Sequence, residues 1–247
     1  MSESVYDDSF FDYTDGLSIT SARRMIPAVQ SLLPRVDSVA DFGCARGAWL
    51  RIWQDCGASR ICGLDGDYVD RSSLHIADEA FIIHDLTQPI DLGQKFDLVQ
   101  SLEVAEHLPR ASAEIFVGSL TSHSEIVLFS AAPPGQGGAH HVNERPYEFW
   151  RDIFAKQGFQ LFDCVRPVLL RDTAIQPWYR FNSFLYVHAD RVKDLSETVR
   201  QTRILDSAPI ADVSPFAFKL RKAVASCLPA PVQNRIASAL SRWRAQG

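Results

Sequence analysis

The chain has 247 residues, of which 46% are hydrophobic, and a formal net charge of −5 at pH 7. This length and apolar content can bury a substantial core, and no internal repeat or low-complexity segment is visible. The first residues lack a basic region followed by an apolar stretch, and no apolar run is long enough to cross a bilayer, so we predict a cytoplasmic protein. The 5 cysteines form neither a CxxC pair nor a metal-ligand spacing, which favours reduced thiols.

After an acidic lead and a predicted helix over residues 20–33, the chain shows a strand, a turn, a helix and a second strand. The first apolar run ends at Asp41, the turn contains Gly43 and Gly47, and the second run ends at Asp65. Glycine permits the positive backbone angles of a tight turn and lets a ligand lie against the main chain. The N-terminus of the helix attracts a carboxylate or phosphate, and an acid about 20 residues after the loop can accept hydrogen bonds from ribose hydroxyls. The order predicts a site for an adenosine-bearing cofactor.

The residues between the glycines distinguish two classes of cofactor. A dinucleotide loop, G-x-G-x-x-G, requires glycines where this chain has Ala45 and Ala48. A methyltransferase loop, D-x-G-x-G-x-G, matches Asp41, Gly43 and Gly47 and departs from the pattern only at Ala45. The second pattern fits better.

Acids also follow the next two predicted strands. Residues 81–86 form a short apolar run with Asp85 near its end, and residues 95–102 form a second run followed by Glu103. In an open parallel sheet, ligands bind beyond the carboxyl ends of the strands, so acids at successive strand ends converge on one crevice. The simpler alternative is that each acid is there because strand ends meet solvent.

The second half of the chain continues this alternation. We predict a helix over 109–119, a strand over 126–131, a proline- and glycine-rich loop over 133–138, a helix over 145–157, and strands over 159–170 and 181–189. Strands that alternate with helices are typical of an α/β fold with a doubly wound sheet.

Four stretches resemble the class I S-adenosylmethionine-dependent methyltransferases, and among these a bacterial branch associated with glycans and other secondary products. They are DFGCARGAWL from 41, GLDGDYVDRSSL from 63, FDLVQSLEVAEHLP from 96, and VLFSAAPPGQGGAHHVNERPYEFW from 127. The resemblance implies a Rossmann-like, doubly wound, mostly parallel sheet of seven strands whose last two strands are antiparallel. It also implies a lead and helix over 1–34, a cofactor-binding domain over 35–190, and a helical C-terminal extension over 191–247.

The same resemblance implies that S-adenosylmethionine binds at the strand ends. The implied contacts are Asp41, Gly43, Cys44 and Gly47 at the methionine moiety, Asp65, Gly66 and Asp67 at the ribose, Asp85 and Leu86 at the adenine, and Ser101, Leu102 and Glu103 near the sulfonium. Ala45 replaces the usual middle glycine, which adds one methyl group to the loop.

The loop after the fifth strand carries the best candidates for catalysis. Methyl transfer is an in-line displacement, so the enzyme must align the acceptor and remove its proton where needed. Histidine suits the second task, and the loop contains His140 and His141, of which we expect one to face the crevice. His107, after the fourth strand, is a competing base. Alternatively, these histidines only hold the loop while Asn143 and Glu144 cap the next helix.

A metal site is not expected, because adjacent histidines lack the i, i+4 spacing of helical ligands and have no supporting pair of carboxylates. The run Trp178-Tyr179-Arg180-Phe181-Asn182 can stack on a sugar ring and hydrogen-bond its hydroxyls, although such clusters are more often core. We therefore predict O-methylation of a hydroxyl on a sugar or glycan precursor. The alternatives are N- or C-methylation of a small secondary product and a non-catalytic, cofactor-binding scaffold.

Residues 213–247 carry a net charge of +6 and no acid, whereas the rest of the chain carries −11. Apolar residues recur in this tail near helical periods, and Pro229 and Pro231 divide it into two predicted helices. Such a segment suits the anionic inner surface of a membrane, or it packs on the acidic body or a second subunit of a homodimer. We predict no binding of nucleic acid, because the acidic body would repel phosphates.

Overall fold

The computed structural model describes residues 8–226, which contain one eight-stranded sheet in the order β3-β2-β1-β4-β5-β7-β6-β8. The strands are β1 (Ser38–Phe42), β2 (Arg60–Asp65), β3 (Phe81–Ile83), β4 (Leu98–Leu102), β5 (Ile126–Ser130), β6 (Phe159–Phe162), β7 (Phe184–His188) and β8 (Arg203–Ile204). The first five strands are parallel, and β7 is antiparallel to both β5 and β6. The α/β class, the mostly parallel sheet and the antiparallel last pair are confirmed.

The helices pack on both faces of the sheet. They are α1 (Asp8–Gln30), α2 (Ala48–Asp55), α3 (Ala113–His123), α4 (Tyr147–Lys156), α5 (Val165–Leu169), α6 (Pro177–Asn182), α7 (Glu197–Arg200) and α8 (Phe216–Ser226). One core contains Ile26 of α1 and Trp53 of α2, and the other contains Phe116 of α3 and Phe154 of α4. Every residue of β1, β4 and β5 is buried, as expected for central strands covered on two sides.

Three predicted boundaries were wrong, two of them where a proline lies in the first turn of a helix. The strand predicted over 159–170 ends at Phe162, because Pro167 lies in the first turn of α5, where its missing N–H is not needed. The strand predicted from 181 begins at Phe184, since Pro177 starts α6. The first helix begins well before residue 20 and contains Pro27.

The predicted count of seven strands was also wrong, because the C-terminal extension supplies β8. This strand is two residues long and pairs antiparallel with β6, so it is too short to produce a periodic pattern. The extension then forms α8, and residues 227–247, with Pro229 and Pro231, lie outside the described part. Within the described part, none of the helices combines the length and hydropathy that crossing a bilayer requires.

Candidate functional site

The loop between β1 and α2 has the backbone that its glycines predict. Gly43 and Gly47 have φ of 91° and 81°, and a Cβ would collide with Val104 at the first position and with Ile76 at the second. Ala45 also lies in the left-handed region, at φ 47°, which strains a residue that has a Cβ. The loop therefore keeps its shape at the one position that departs from the glycine pattern.

Asp41 ends a buried chain of hydrogen bonds. Trp53 Nε1 donates to Gln100 Oε1 at 2.8 Å, and Gln100 Nε2 donates to Asp41 Oδ2 at 2.8 Å. Burial raises the pKa of the Asp41 carboxyl to about 7, against the opposing hydrogen bond from Gln100. A positively charged group beside Asp41 would stabilise its ionised form, so the geometry suits the ammonium of an amino acid. Sequence reasoning missed Gln100, although a polar residue inside an apolar strand was a usable signal.

Asp65, at the end of β2, receives three hydrogen bonds. The backbone N–H groups of Ala45 and Gly66 each donate at 2.7 Å, and the Tyr68 hydroxyl donates to Oδ1. Burial raises the pKa of Asp65. The carboxylate thus joins the loop to β2, and it accepts a hydroxyl where the resemblance implies a ribose.

The remaining implied cofactor residues lie along the same edge of the sheet. Cys44, Ser101, Leu102 and Leu86 are buried, Gly66 is half-buried, and Asp67 and Asp85 are exposed. Burial raises the pKa of the Cys44 thiol well above its usual range, which favours the protonated thiol over the nucleophilic thiolate. Asp85 accepts hydrogen bonds from the Thr87 backbone and hydroxyl, which lower its pKa.

Helix α1 covers the cofactor loop through an acid that sequence reasoning did not single out. Asp15 Oδ2 lies 3.0 Å from His75 Nε2 and 3.5 Å from Arg46 Nη1. The backbone N–H of His75 also donates to the backbone carbonyl of Arg46 at 2.8 Å. The Arg46 side chain is only 6% exposed. Helix α1 is thereby fixed to the cofactor loop at Asp15.

On the other side of the crevice, Glu103 is held by two amides. Gln136 Nε2 donates to its carboxylate at 2.6 Å and Asn182 Nδ2 at 3.3 Å, while Asn182 also donates to Gln136 Oε1 at 2.7 Å. Glu103 has φ of 58°, a strained backbone of the kind that clusters at functional sites. Burial raises the pKa of its carboxyl. Asn182 was predicted as a possible sugar contact, whereas Gln136 was visible only as part of a loop.

The loop after β5 is tied together by Glu144. Its carboxylate accepts hydrogen bonds from the backbone of Gly135 at 2.8 Å and Gly137 at 2.7 Å, and from His141 Nδ1 at 2.8 Å. The alternative that Asn143 or Glu144 caps the next helix was wrong, because the N-cap of α4 is Pro146 and no side chain caps it. Glu144 therefore orients His141.

The side chains of His140 and His141 lie in different environments, as expected, but not because the backbone is extended. His140 is exposed and has φ of 61°, so the backbone is left-handed here and not extended. The His141 side chain is 9% exposed, and its ring meets that of His107 edge-on with centroids 4.8 Å apart. Burial and both loop histidines lower the pKa of His107 to about 3, so it is a weak base.

The aromatic run before β7 is mainly core. Tyr179 packs edge-on against Trp49 at 4.9 Å, and Phe181 packs against Phe218 at 5.8 Å. Both Tyr179 and Phe181 are buried, which leaves their rings no face for a sugar.

Comparisons with known proteins agree on the fold. A family model described as "Methyltransferase domain" matches residues 19–163. Magnesium protoporphyrin IX methyltransferase from Synechocystis PCC 6803, solved with bound S-adenosylmethionine, is 21% identical, with 71% of this chain and 81% of that chain covered and a TM-score of 0.51. The sugar N-methyltransferase KedS8 from Streptoalloteichus sp ATCC 53650 is 15% identical, with 68% and 87% covered and a TM-score of 0.54.

Streptomyces venezuelae DesVI matches over less of each chain, 50% of this one and 56% of its own, with 21% identity and a TM-score of 0.43. A search of curated protein sequences finds no match. The family match spans more than half of the sequence and includes the cofactor loop and the strand ends described above. The chain therefore belongs to the class I methyltransferase-domain family, enzymes whose methyl donor is S-adenosylmethionine.

Proposed function

We propose that this enzyme methylates a hydroxyl group of a sugar or glycan precursor, with His141 of the loop as the general base. The observation that carries the proposal is the hydrogen bond between His141 Nδ1 and Glu144, 2.8 Å long, in a largely buried setting. A carboxylate that accepts from one ring nitrogen fixes the tautomer and raises the basicity of the other. A hydroxyl is a poor nucleophile, so O-methylation needs a base that removes the hydroxyl proton as the oxygen attacks.

In the proposed step, the acceptor oxygen attacks the methyl carbon of the sulfonium. The new O–C bond forms as the S–C bond breaks, its electron pair remains on sulfur as S-adenosylhomocysteine, and the hydroxyl proton passes to His141 Nε2. Asp41 would hold the ammonium of the donor, Asp65 its ribose hydroxyls and Asp85 its adenine amino group. Glu103, with Gln136 and Asn182, would border the transferred methyl group.

The choice of a sugar is supported by the fold shared with the sugar N-methyltransferase KedS8. That neighbour methylates nitrogen, so N-methylation is the second candidate, and C-methylation of a small secondary product is a third. A non-catalytic scaffold is the candidate from another class. An amine acceptor loses its proton easily, so loss of His141 should affect an N-methyltransferase much less.

We also propose a cytoplasmic location with peripheral contact to an anionic membrane. Phe216, Leu220 and Val224 form an exposed apolar stripe on α8, with exposed fractions of 79%, 55% and 60%. Lys219 and Arg221 of the same helix add basic charge. Apolar area and basic charge together favour an anionic bilayer surface, where a lipid-linked acceptor would also lie. Packing of this stripe on a second subunit is the competing arrangement.

The decisive experiment is a methyl-transfer screen against nucleotide sugars and lipid-linked glycans. The donor carries a labelled methyl group, and mass spectrometry locates the product bond. We expect His141→Ala to lose most turnover and to bind S-adenosylmethionine normally, whereas His140→Ala keeps its turnover. A product methylated at nitrogen, or full turnover by His141→Ala, would exclude the proposal, and cofactor binding without any product would support the scaffold.

The tail is tested separately by sedimentation with vesicles containing phosphatidylserine. We expect deletion of residues 227–247 to weaken binding and Leu220→Asp to weaken it further, with neutral vesicles as the control. A stable dimer that Leu220→Asp converts to a monomer would favour packing on a second subunit.

A further inference from the structure

The fold brings together side chains from two loops that are distant in sequence. In the part of the chain that the structure describes, one ligand atom from each of Glu106, His107 and His141 lies within 4.8 Å of the other two. The backbone N–H groups of Val142 and Asn143 both donate to the Glu106 carbonyl at 2.9 Å, which holds the histidine loop against the turn after β4. The cluster is therefore built by the fold and not by a single flexible loop.

Glu106 is the most unusual member of this cluster. Its side chain is completely buried, and no side chain donates a hydrogen bond to either carboxylate oxygen. A buried ionised carboxylate without a partner is costly, so native proteins pair such a group with a cation or keep it protonated.

The two imidazoles have the features of metal ligands. His107 Nδ1 is buried and has no hydrogen-bond partner. His141 contacts Glu144 through Nδ1, and a histidine that binds a metal nearly always donates its other ring N–H to a carboxylate, carbonyl or water. The sequence prediction of no metal site considered His141 only with its neighbour His140. In the fold, His141 lies beside Glu106 and His107.

We propose that Glu106, His107 and His141 bind one divalent transition-metal ion, with Glu144 orienting His141. Two imidazoles and one carboxylate favour ions from manganese to zinc over magnesium or calcium, which prefer oxygen. Metal–ligand bonds of about 2.1 Å would draw the three ligand atoms closer together, a movement that side-chain rotation can supply.

The role of this ion rests on the proposed function, but its binding does not. Three protein ligands leave a coordination position open, and a metal-bound oxygen loses its proton more readily. If His141 bound the ion through Nε2, the ion would take the place of the His141 base in the proposed step. It would then acidify the acceptor hydroxyl, whose proton would leave to solvent water. The site would then select acceptors that present a hydroxyl to the metal.

The test measures binding of the metal alone to the full-length chain, stripped with chelator and without cofactor. Mn²⁺, Zn²⁺ and Mg²⁺ are titrated separately by calorimetry, and retained metal is quantified by mass spectrometry after gel filtration. We expect one equivalent of Mn²⁺ or Zn²⁺, with Mg²⁺ at least tenfold weaker. Glu106→Gln should lower the affinity at least tenfold, and His107→Gln provides a second variant with the same readout.

His188→Gln is the matched control, because His188 also lies beside an acid, with Nδ1 3.6 Å from Asp190, outside the cluster. Its metal affinity should equal that of the unmodified chain. Binding below a tenth of an equivalent, tighter binding of Mg²⁺ than of Mn²⁺, or equal affinities in Glu106→Gln and His188→Gln would each overturn the metal site. Metal binding without methyl transfer would instead overturn the proposed function, and methyl transfer that survives removal of all metal would overturn the role of the ion.

Discussion

The side-chain amide of Gln136 donates a 2.6 Å hydrogen bond to the carboxylate of Glu103. This contact joins the loop after β5 to the end of β4, and it partly satisfies an acid whose pKa is raised by burial. The carboxylate lies where β4 opens into the crevice, so the amide positions a group that borders the proposed site of methyl transfer.

Replacement of Gln136 by leucine should lower turnover about tenfold, because a buried acceptor that loses its donor costs about 1–3 kcal/mol. Affinity for S-adenosylmethionine should stay within twofold of that of the unmodified enzyme. Gln157→Leu, at an exposed position after α4, is the control and should behave normally. Steady-state kinetics and calorimetry give both quantities, and unchanged turnover would show that the contact is only structural.

The raised pKa of Asp41, about 7, predicts pH-dependent binding of the cofactor. The ammonium of S-adenosylmethionine binds the ionised carboxylate, so affinity should increase about tenfold per pH unit below pH 7 and level off above it. Calorimetry in buffers of different ionisation enthalpy should detect a proton released on binding near pH 6. Asp41→Asn should bind weakly at every pH and without this slope; an unchanged slope would assign the titration to another group.

The raised pKa of Asp41 also predicts how the stability of the cofactor-free enzyme depends on pH. The pKa of Asp41 is raised on folding from 3.8 to about 7, so its contribution is complete below pH 3.8 and is lost as the pH rises to about 7. Over this window, the stability of Asp41→Asn should decline less than that of the unmodified enzyme. Urea unfolding at several pH values measures this difference.

Ala45→Gly should stabilise the protein. Relief of the left-handed strain at φ 47° exceeds the added flexibility of the unfolded chain, for a net increase of about 0.5–1 kcal/mol. Ala48→Gly is the matched control in the first turn of α2, where glycine should cost about 0.5 kcal/mol. If both variants lose stability in thermal unfolding, the left-handed backbone at Ala45 is not strained.

Tyr68→Phe should raise the affinity for S-adenosylmethionine severalfold. The Tyr68 hydroxyl donates to Asp65 Oδ1, the oxygen proposed to accept from the ribose. Without the Tyr68 hydroxyl, the ribose hydroxyls no longer compete for this oxygen. Asp65→Ala should lower the affinity about tenfold to a hundredfold, since a hydrogen bond to a charged group contributes about 1.5–3 kcal/mol. Asp55→Ala, at the exposed end of α2, is the control. Weaker binding by Tyr68→Phe would make the hydroxyl part of the cofactor site.

The conformation of the proposed cofactor loop was predictable from sequence because its signals are local. Gly43, Gly47 and Asp65 lie in one strand-turn-helix-strand unit, where each residue type has a direct conformational or hydrogen-bonding reason. The acceptor half was only partly predictable. Glu106 and His141 meet because parallel strands bring separate loops to one edge of the sheet, and no spacing in the sequence encodes that contact.

The boundaries that failed share a physical origin. A short apolar run is compatible with either a strand or a helix, so the sequence around Val165 did not distinguish the two. Tertiary packing selects the helix there. The pairing of β8 with β6 depends on two residues, and the burial of Tyr179 depends on Trp49 of another helix. Neither contact has a local pattern.

Asp15 anchors the first helix above the cofactor loop, and Arg221 Nη2 of the last described helix donates to the Gln136 carbonyl at 2.6 Å. Helices α1 and α8 thus each contact a loop that borders the proposed crevice. A variant that lacks α1 or α8 would therefore lose contacts to the loops of the proposed crevice, much as a substitution within those loops would. A reporter is better inserted in an exposed surface bend such as the one at Gly93.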